Sequence, residues 1–118
     1  MSFTNFDDVL QVSLLYDFYG ELLTERQKEI MELYHEENYS IVEISSELGI
    51  TKQGVHEALK KSEKLLYSYE EKLGLVSKFL NTGSVIEEVR NRLDSLSLND
   101  ELKEKVEEIK NILNKIED

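Results

Sequence analysis

The 118-residue chain has no proline, no cysteine and only five glycines. Without proline nothing removes an amide donor from a helix interior, so helices can run unbroken between the few glycines. Without cysteine there is no disulfide framework, and a single domain of this length buries a core without one. The same absence fits a reducing compartment. No stretch approaches the roughly 20 apolar residues that cross a bilayer. The first residues, MSFTNFDDVLQ, carry no basic segment ahead of an apolar run, so a secretory leader is not expected. A soluble cytoplasmic protein is expected.

Chemistry is scarce as well. Only two histidines exist, His35 and His56, and neither stands in a ligand or catalytic spacing. His35 is expected near a helix C-terminus, where the dipole favours it. No Gly-rich phosphate loop, no Walker-type Lys-Ser/Thr and no Gly-x-Ser-x-Gly is present. The Glu36-Glu37 and Glu70-Glu71 pairs are adjacent in sequence and point different ways on a helix, so a carboxylate dyad is not expected. No loop of alternating Asp or Asn offers a calcium site. Neither an enzyme nor a cofactor is expected.

Cations are few: 14 Lys and Arg stand against 25 Asp and Glu, a net charge of −11. Long-range attraction to a polyanion should therefore be poor. The excess is spread along the chain: −4 over 1–23, −4 over 24–72 and −3 over 73–118. One island differs. Over 51–66, Lys52, Lys60, Lys61 and Lys64 outnumber Glu57 and Glu63, giving +2.

What is present reads as helix throughout, rich in Leu, Glu and Lys with no β-type alternation. A first helix should start near Thr4 or Asn5, with Asp7 and Asp8 favourable in its first turn. Its stripe is Phe6, Val9, Leu10, Leu14, Phe18 and Leu22, widened by Val12, Leu15 and Tyr19. A helix so broadly apolar is central to the core or shared with another subunit. Capping boxes at Thr24/Gln27, Ser40/Glu43 and Ser84/Glu87 predict three further starts. The second helix, about 25–37, should bury Ile30, Leu33 and Tyr34 and end at Asn38, a residue that tolerates the left-handed conformation. The third spans about 41–48. The fourth starts near Thr51 and continues through Val55, Leu59, Ser62, Leu66, Tyr69 and Leu73 to a stop at Gly74. Leu75, Val76, Phe79 and Leu80 suggest a short turn before a break at 81–84. Val85, Ile86, Val89, Leu93 and Leu96 mark another helix. A last one, from Asn99, places Leu102, Val106, Ile109, Leu113 and Ile116 at alternating four and three. The expected division is a domain over 1–75 and a helical extension over 76–118.

The segment 41–60, IVEISSELGITKQGVHEALK, carries most of the functional information. Ile44 and Leu48 lie on a short helix, Gly49 marks the break and Ile50 sits in the turn. Val55 and Leu59 restart the apolar stripe, and small Ser45 and Ala58 stand where the helices approach. Gly49 suits a helix that stops on positive φ. This is the register of a helix-turn-helix, whose second helix would project Thr51, Lys52, Gln53, His56, Glu57 and Lys60 as a groove reader does.

The segment 24–72 resembles the region-4 helix-turn-helix of bacterial sigma factors, with its Leu-Thr start, Leu-Tyr pair, serine-capped scaffold helix and Gly-Ile-Thr turn. A closer resemblance is to the YlxM-like family of small bacterial helix-turn-helix proteins. It rests on LLYDFYGELLTERQ at 14–27, the motif itself, and KSEKLLYSYEEKLGL at 61–75. The resemblance implies an all-α, sigma region 4-like fold without a wing, with an aromatic N-terminal helix and a C-terminal helical tail. It also implies a regulatory role linked to components of the signal recognition particle, beside which the family is encoded. Carried over position by position, the contacts would be Thr51, Lys52, Gln53, His56, Glu57 and Lys60, with Lys61 and Lys64 towards the backbone. Sigma region 4 carries an arginine-rich reader; this chain has Gly54 and Glu57 there instead, so the bidentate guanine contacts are missing.

Two functions follow. One is a nucleic-acid-binding regulator acting as a homodimer on DNA or structured RNA, since one helix with so few cations binds weakly. The other is a non-catalytic module that keeps the fold but binds protein, with signal recognition particle components as partners. Residues 1–23 and the tail are expected to form the subunit contact.

Overall fold

The structure is a computed structural model describing residues 5–117, with side chains from Val9 to Ile116. Thr4 and the side chains of Phe6, Asp7 and Asp8 lie outside the described residues. Among the described residues six α-helices follow one another: α1 Asn5–Tyr19, α2 Glu25–Met31, α3 Ile41–Leu48, α4 Lys52–Leu73, α5 Leu75–Asp94 and α6 Asp100–Glu117. A 3-10 turn, Gly20–Leu22, follows α1, and α2 relaxes into one π turn, Glu32–Glu36. No strand occurs among the described residues, and no helix is long and apolar enough to cross a membrane. The chain divides into two compact units, Met1–Val76 and Ser77–Asp118.

In the first unit α4 is the central pillar, packed against α1, α2 and α3. It contributes Val55, Leu59 and Leu66, which bury with Ile44 of α3, Ile30 and Met31 of α2, and Val12, Leu15 and Tyr19 of α1. Each such side chain contributes roughly 1.5–3 kcal/mol when fully buried. The main stripe of α1 is buried only in part: Val9, Leu10 and Leu22 are exposed, Leu14 and Phe18 pack half-buried against the core, and Val12, Leu15, Tyr19 and Leu23 enter it. Both faces are apolar, so periodicity alone does not choose. The choice follows Tyr19, whose hydroxyl needs a buried partner and finds one on α4. Tyr34 is likewise exposed and Met31 takes its place in the core.

Helix ends follow local chemistry. Thr24 and Ser40 form complete capping boxes with Gln27 and Glu43. Asn38 adopts φ +58°, and Gly49 and Gly74 adopt φ +66° and +64°. The third box does not form, because Ser84 lies inside α5 and the chain runs helically through 81–84. Asn, Thr, Gly and Ser each disfavour helix by up to about 1 kcal/mol, a cost the flanking residues outweigh when no proline intervenes.

The second unit contains most of α5 and all of α6. Arg90 pairs with Asn114 and Asp94 with Lys110, so residue numbers rise on one helix as they fall on the other and the two run antiparallel. Asn99 caps α6, its Oδ1 accepting from the Leu102 amide at 3.0 Å.

Candidate nucleic-acid interface

Three locks set the angle between α3 and α4. Ser40 and Glu43 cap the start of α3: the Ser40 hydroxyl accepts from the Glu43 amide at 3.1 Å, and Glu43 accepts from the Ser40 amide at 3.0 Å. These bonds, the amide's first, hold the Glu43 carboxyl below the usual carboxylate range. At the other end the Gly49 amide donates to the Ser45 carbonyl in the left-handed conformation. The Ser45 hydroxyl then crosses the turn to donate to the Ile50 carbonyl at 2.5 Å, and the Ile50 amide returns to the Ser45 carbonyl at 3.2 Å. Ser45 therefore clamps the turn as well as being small, a role its size alone does not suggest.

Thr51 caps α4, its Oγ1 accepting from the Gly54 amide at 2.9 Å. It belongs to the frame that aims the helix as much as to its surface. Val55, Leu59, Ser62 and Leu66 turn inward. At about 100° per residue, Gln53, Glu57 and Lys64 then lie on the opposite face, with Lys60 and Lys61 beside them and His56 on the flank. Lys52 stands at the entrance. All eight predicted positions, Thr51, Lys52, Gln53, His56, Glu57, Lys60, Lys61 and Lys64, are exposed on this one helix. Glu57 accepts from the Gln53 side-chain nitrogen at 3.2 Å in an exposed bond one turn along the helix. The first turn of α4 contains no acid, so no carboxylate of that turn competes for its positive end.

His35 does more than offset a dipole. It is nearly buried, and its Nε2 lies 3.2 Å from Oε1 of Glu63. The π turn, in which the Glu37 amide reaches the Glu32 carbonyl, brings His35 to α4. Glu63 is thereby tied to the scaffold side, leaving Glu57 as the sole acid on the outer face between Lys52 and Lys64. Nothing in the sequence spacing marks this pair, since a π turn displaces every later side chain by one position. Among the described residues no three His, Asp or Glu side chains group as a metal site would require.

A short capped helix, a clamped glycine turn and a longer helix with a polar outer face define a helix-turn-helix protein. The profile of the family described as "Putative helix-turn-helix protein, YlxM / p13 like" matches residues 6–109. The chain belongs to this family. A UPF0122 protein of Desulforamulus reducens is 47% identical over 106 residues, 90% of either chain. A UPF0122 protein of Caldanaerobacter subterraneus subsp. tengcongensis is 52% identical over 84 residues, covering 71% of this chain and 72% of its own. Another, of Acetivibrio thermocellus, is 39% identical over 112 residues, covering 95% and 96%.

Proposed function

We propose that this protein is a regulator that binds duplex nucleic acid through the N-terminal half of α4. The observation that carries the reading is the outer face of α4. Lys52, Gln53, His56 and Lys60 are exposed together there on a helix whose angle three local hydrogen-bonded locks hold. Lys52, Lys60, Lys61 and Lys64 would meet phosphates, while Gln53 and His56 reach base edges. Glu57, held by Gln53, would be freed to accept from a cytosine amino group or stay folded along the helix. With no arginine on this face, affinity rests on phosphate contacts and two copies are needed for tight binding. The setting proposed is the signal recognition particle pathway in the cytoplasm, which the family resemblance supports.

Charge reversal at Lys60 and Lys61 tests this in the full chain against a mixed-sequence DNA duplex and a structured RNA at low salt. Binding should fall at least tenfold while the unfolding midpoint stays put, because both side chains are exposed. Unaltered binding would remove them from the site. A second reading is favoured by the net charge of −11: the same fold serving as a protein-interaction module for signal recognition particle components. A partner retained after nuclease treatment, with no duplex binding at low salt, would select it.

A further inference from the structure

The two helices of the Ser77–Asp118 unit are not alike on their two sides. One side is clasped by polar pairs, Arg90 with Asn114 and Asp94 with Lys110. The other is apolar and open. Val85 and Val89 of α5 are 51% and 38% exposed, and Leu102, Ile109, Ile112 and Ile116 of α6 are 44–59% exposed. Helical spacing puts the four α6 residues on one stripe, interrupted by the exposed Lys105, and they fall on the side of α6 away from Asn114 and Lys110.

Within this unit only Ile86 is buried among the described residues. A helical pair of about 40 residues, with no disulfide to staple it, does not hold such an open face in water unaided. The six side chains leave on the order of 500 Å² of mostly apolar surface open, close to the apolar share of the roughly 800 Å² each partner gives a stable homodimer. Charge points to the same occupant. Residues 77–118 hold ten acids and seven bases, −3, whereas 1–76 hold −8, so like copies repel least here.

From these features we infer that the open face is covered by the same face of a second copy, with the two α6 helices antiparallel about Ile109. The sequence is self-complementary in that register. Leu102 and Ile116 stand seven residues either side of Ile109 and meet each other, and Ile109 meets itself. Glu101 and Lys115, flanking the stripe on one edge, come opposite one another twice across the axis. Glu108 falls near the axis, with Lys105 of the other copy one turn away as its counterion.

This seam does not depend on the nucleic-acid reading. A monomer that binds duplex, or a dimer that binds none, would separate the two. The test is sedimentation equilibrium of the full chain. Wild type should run at twice its 13.8 kDa mass. Ile109→Glu should weaken association about a hundredfold at unchanged helical circular dichroism. Glu101→Lys and Lys115→Glu should each loosen the dimer, and the double exchange should restore it. That exchange decides the matter should Ile109→Glu lose its helix. A wild-type monomer at about 100 µM, where a stable dimer would be assembled, overturns the inference. So does a dimer indifferent to Ile109→Glu, or a double exchange that rescues nothing.

Discussion

Tyr19, the last residue of α1, donates its hydroxyl hydrogen bond to Glu70 near the end of α4, at 2.5 Å. The Leu75 amide donates to the same hydroxyl at 3.1 Å, and the Val76 amide donates to the Glu70 carboxylate at 3.0 Å. One buried pair therefore ties the first helix to the fourth and caps the first amides of the fifth, which would otherwise lack partners. The Tyr69 ring, 6.1 Å from that of Tyr19, adds an aromatic contact at the same corner.

Tyr19→Phe should cost about 1–3 kcal/mol, because it removes a bond to a carboxylate and strands the Leu75 amide. Tyr16→Phe is the control: its bond to Glu32, 2.8 Å, lies at the surface and should be worth less than about 1 kcal/mol. Urea denaturation of the three proteins gives the comparison.

The same corner makes stability sensitive to alkali. Burial, and then the Glu70 bond, raises the Tyr19 hydroxyl above its ordinary value, and Tyr16 is raised by burial and by Glu32. The folded chain then keeps protons that the unfolded chain has lost. The stabilisation is complete below pH about 10 and disappears as pH climbs through the folded values. Lys28 and Lys110 shift in the same direction, chiefly through their bonds to Glu21 and Asp94. Tyr19→Phe should therefore flatten part of the decline above pH 10, as read by melting temperature against pH.

Ser62 is wholly buried on α4 and its hydroxyl has no hydrogen-bond partner among the described residues. Ser62→Ala removes an unsatisfied polar group without opening a cavity of any size, so stability should hold or rise by up to about 1 kcal/mol. A loss of that size would mean that the hydroxyl is bonded in solution.

The glycines separate two kinds of backbone. Gly49 holds positive φ, and Gly49→Ala should cost about 1 kcal/mol although open space surrounds it. Gly83 sits inside α5, also with open space around it, and Gly83→Ala should gain up to about 1 kcal/mol. A loss at Gly83 in denaturant titration would argue for a broken helix at 81–84.

Local rules made much of this legible. The caps at Thr24, Ser40 and Asn99, the left-handed Asn38, Gly49 and Gly74, and the long run of α4 follow from residue type at fixed offsets. What escaped depends on distant partners. The buried side of α1 is decided by Glu70, fifty-one residues away, and the place of His35 by a π turn and Glu63. The Ser84 box has the right residues but lies within a helix that already satisfies its amides. On the working face, spacing shows which side chains share a surface; what they touch is not written in spacing at all.

The salt dependence of duplex binding by the full chain, measured by fluorescence anisotropy, reads the phosphate contacts of the α4 lysines. If Lys52, Lys60, Lys61 and Lys64 meet phosphates, the logarithm of affinity should fall against that of salt concentration with a slope near −3 to −4 for each bound copy, and about −7 for two copies. Lys60→Gln should reduce the slope by about 1 for each bound copy. No binding even at about 50 mM salt, or a slope that Lys60→Gln leaves unchanged, would contradict the account.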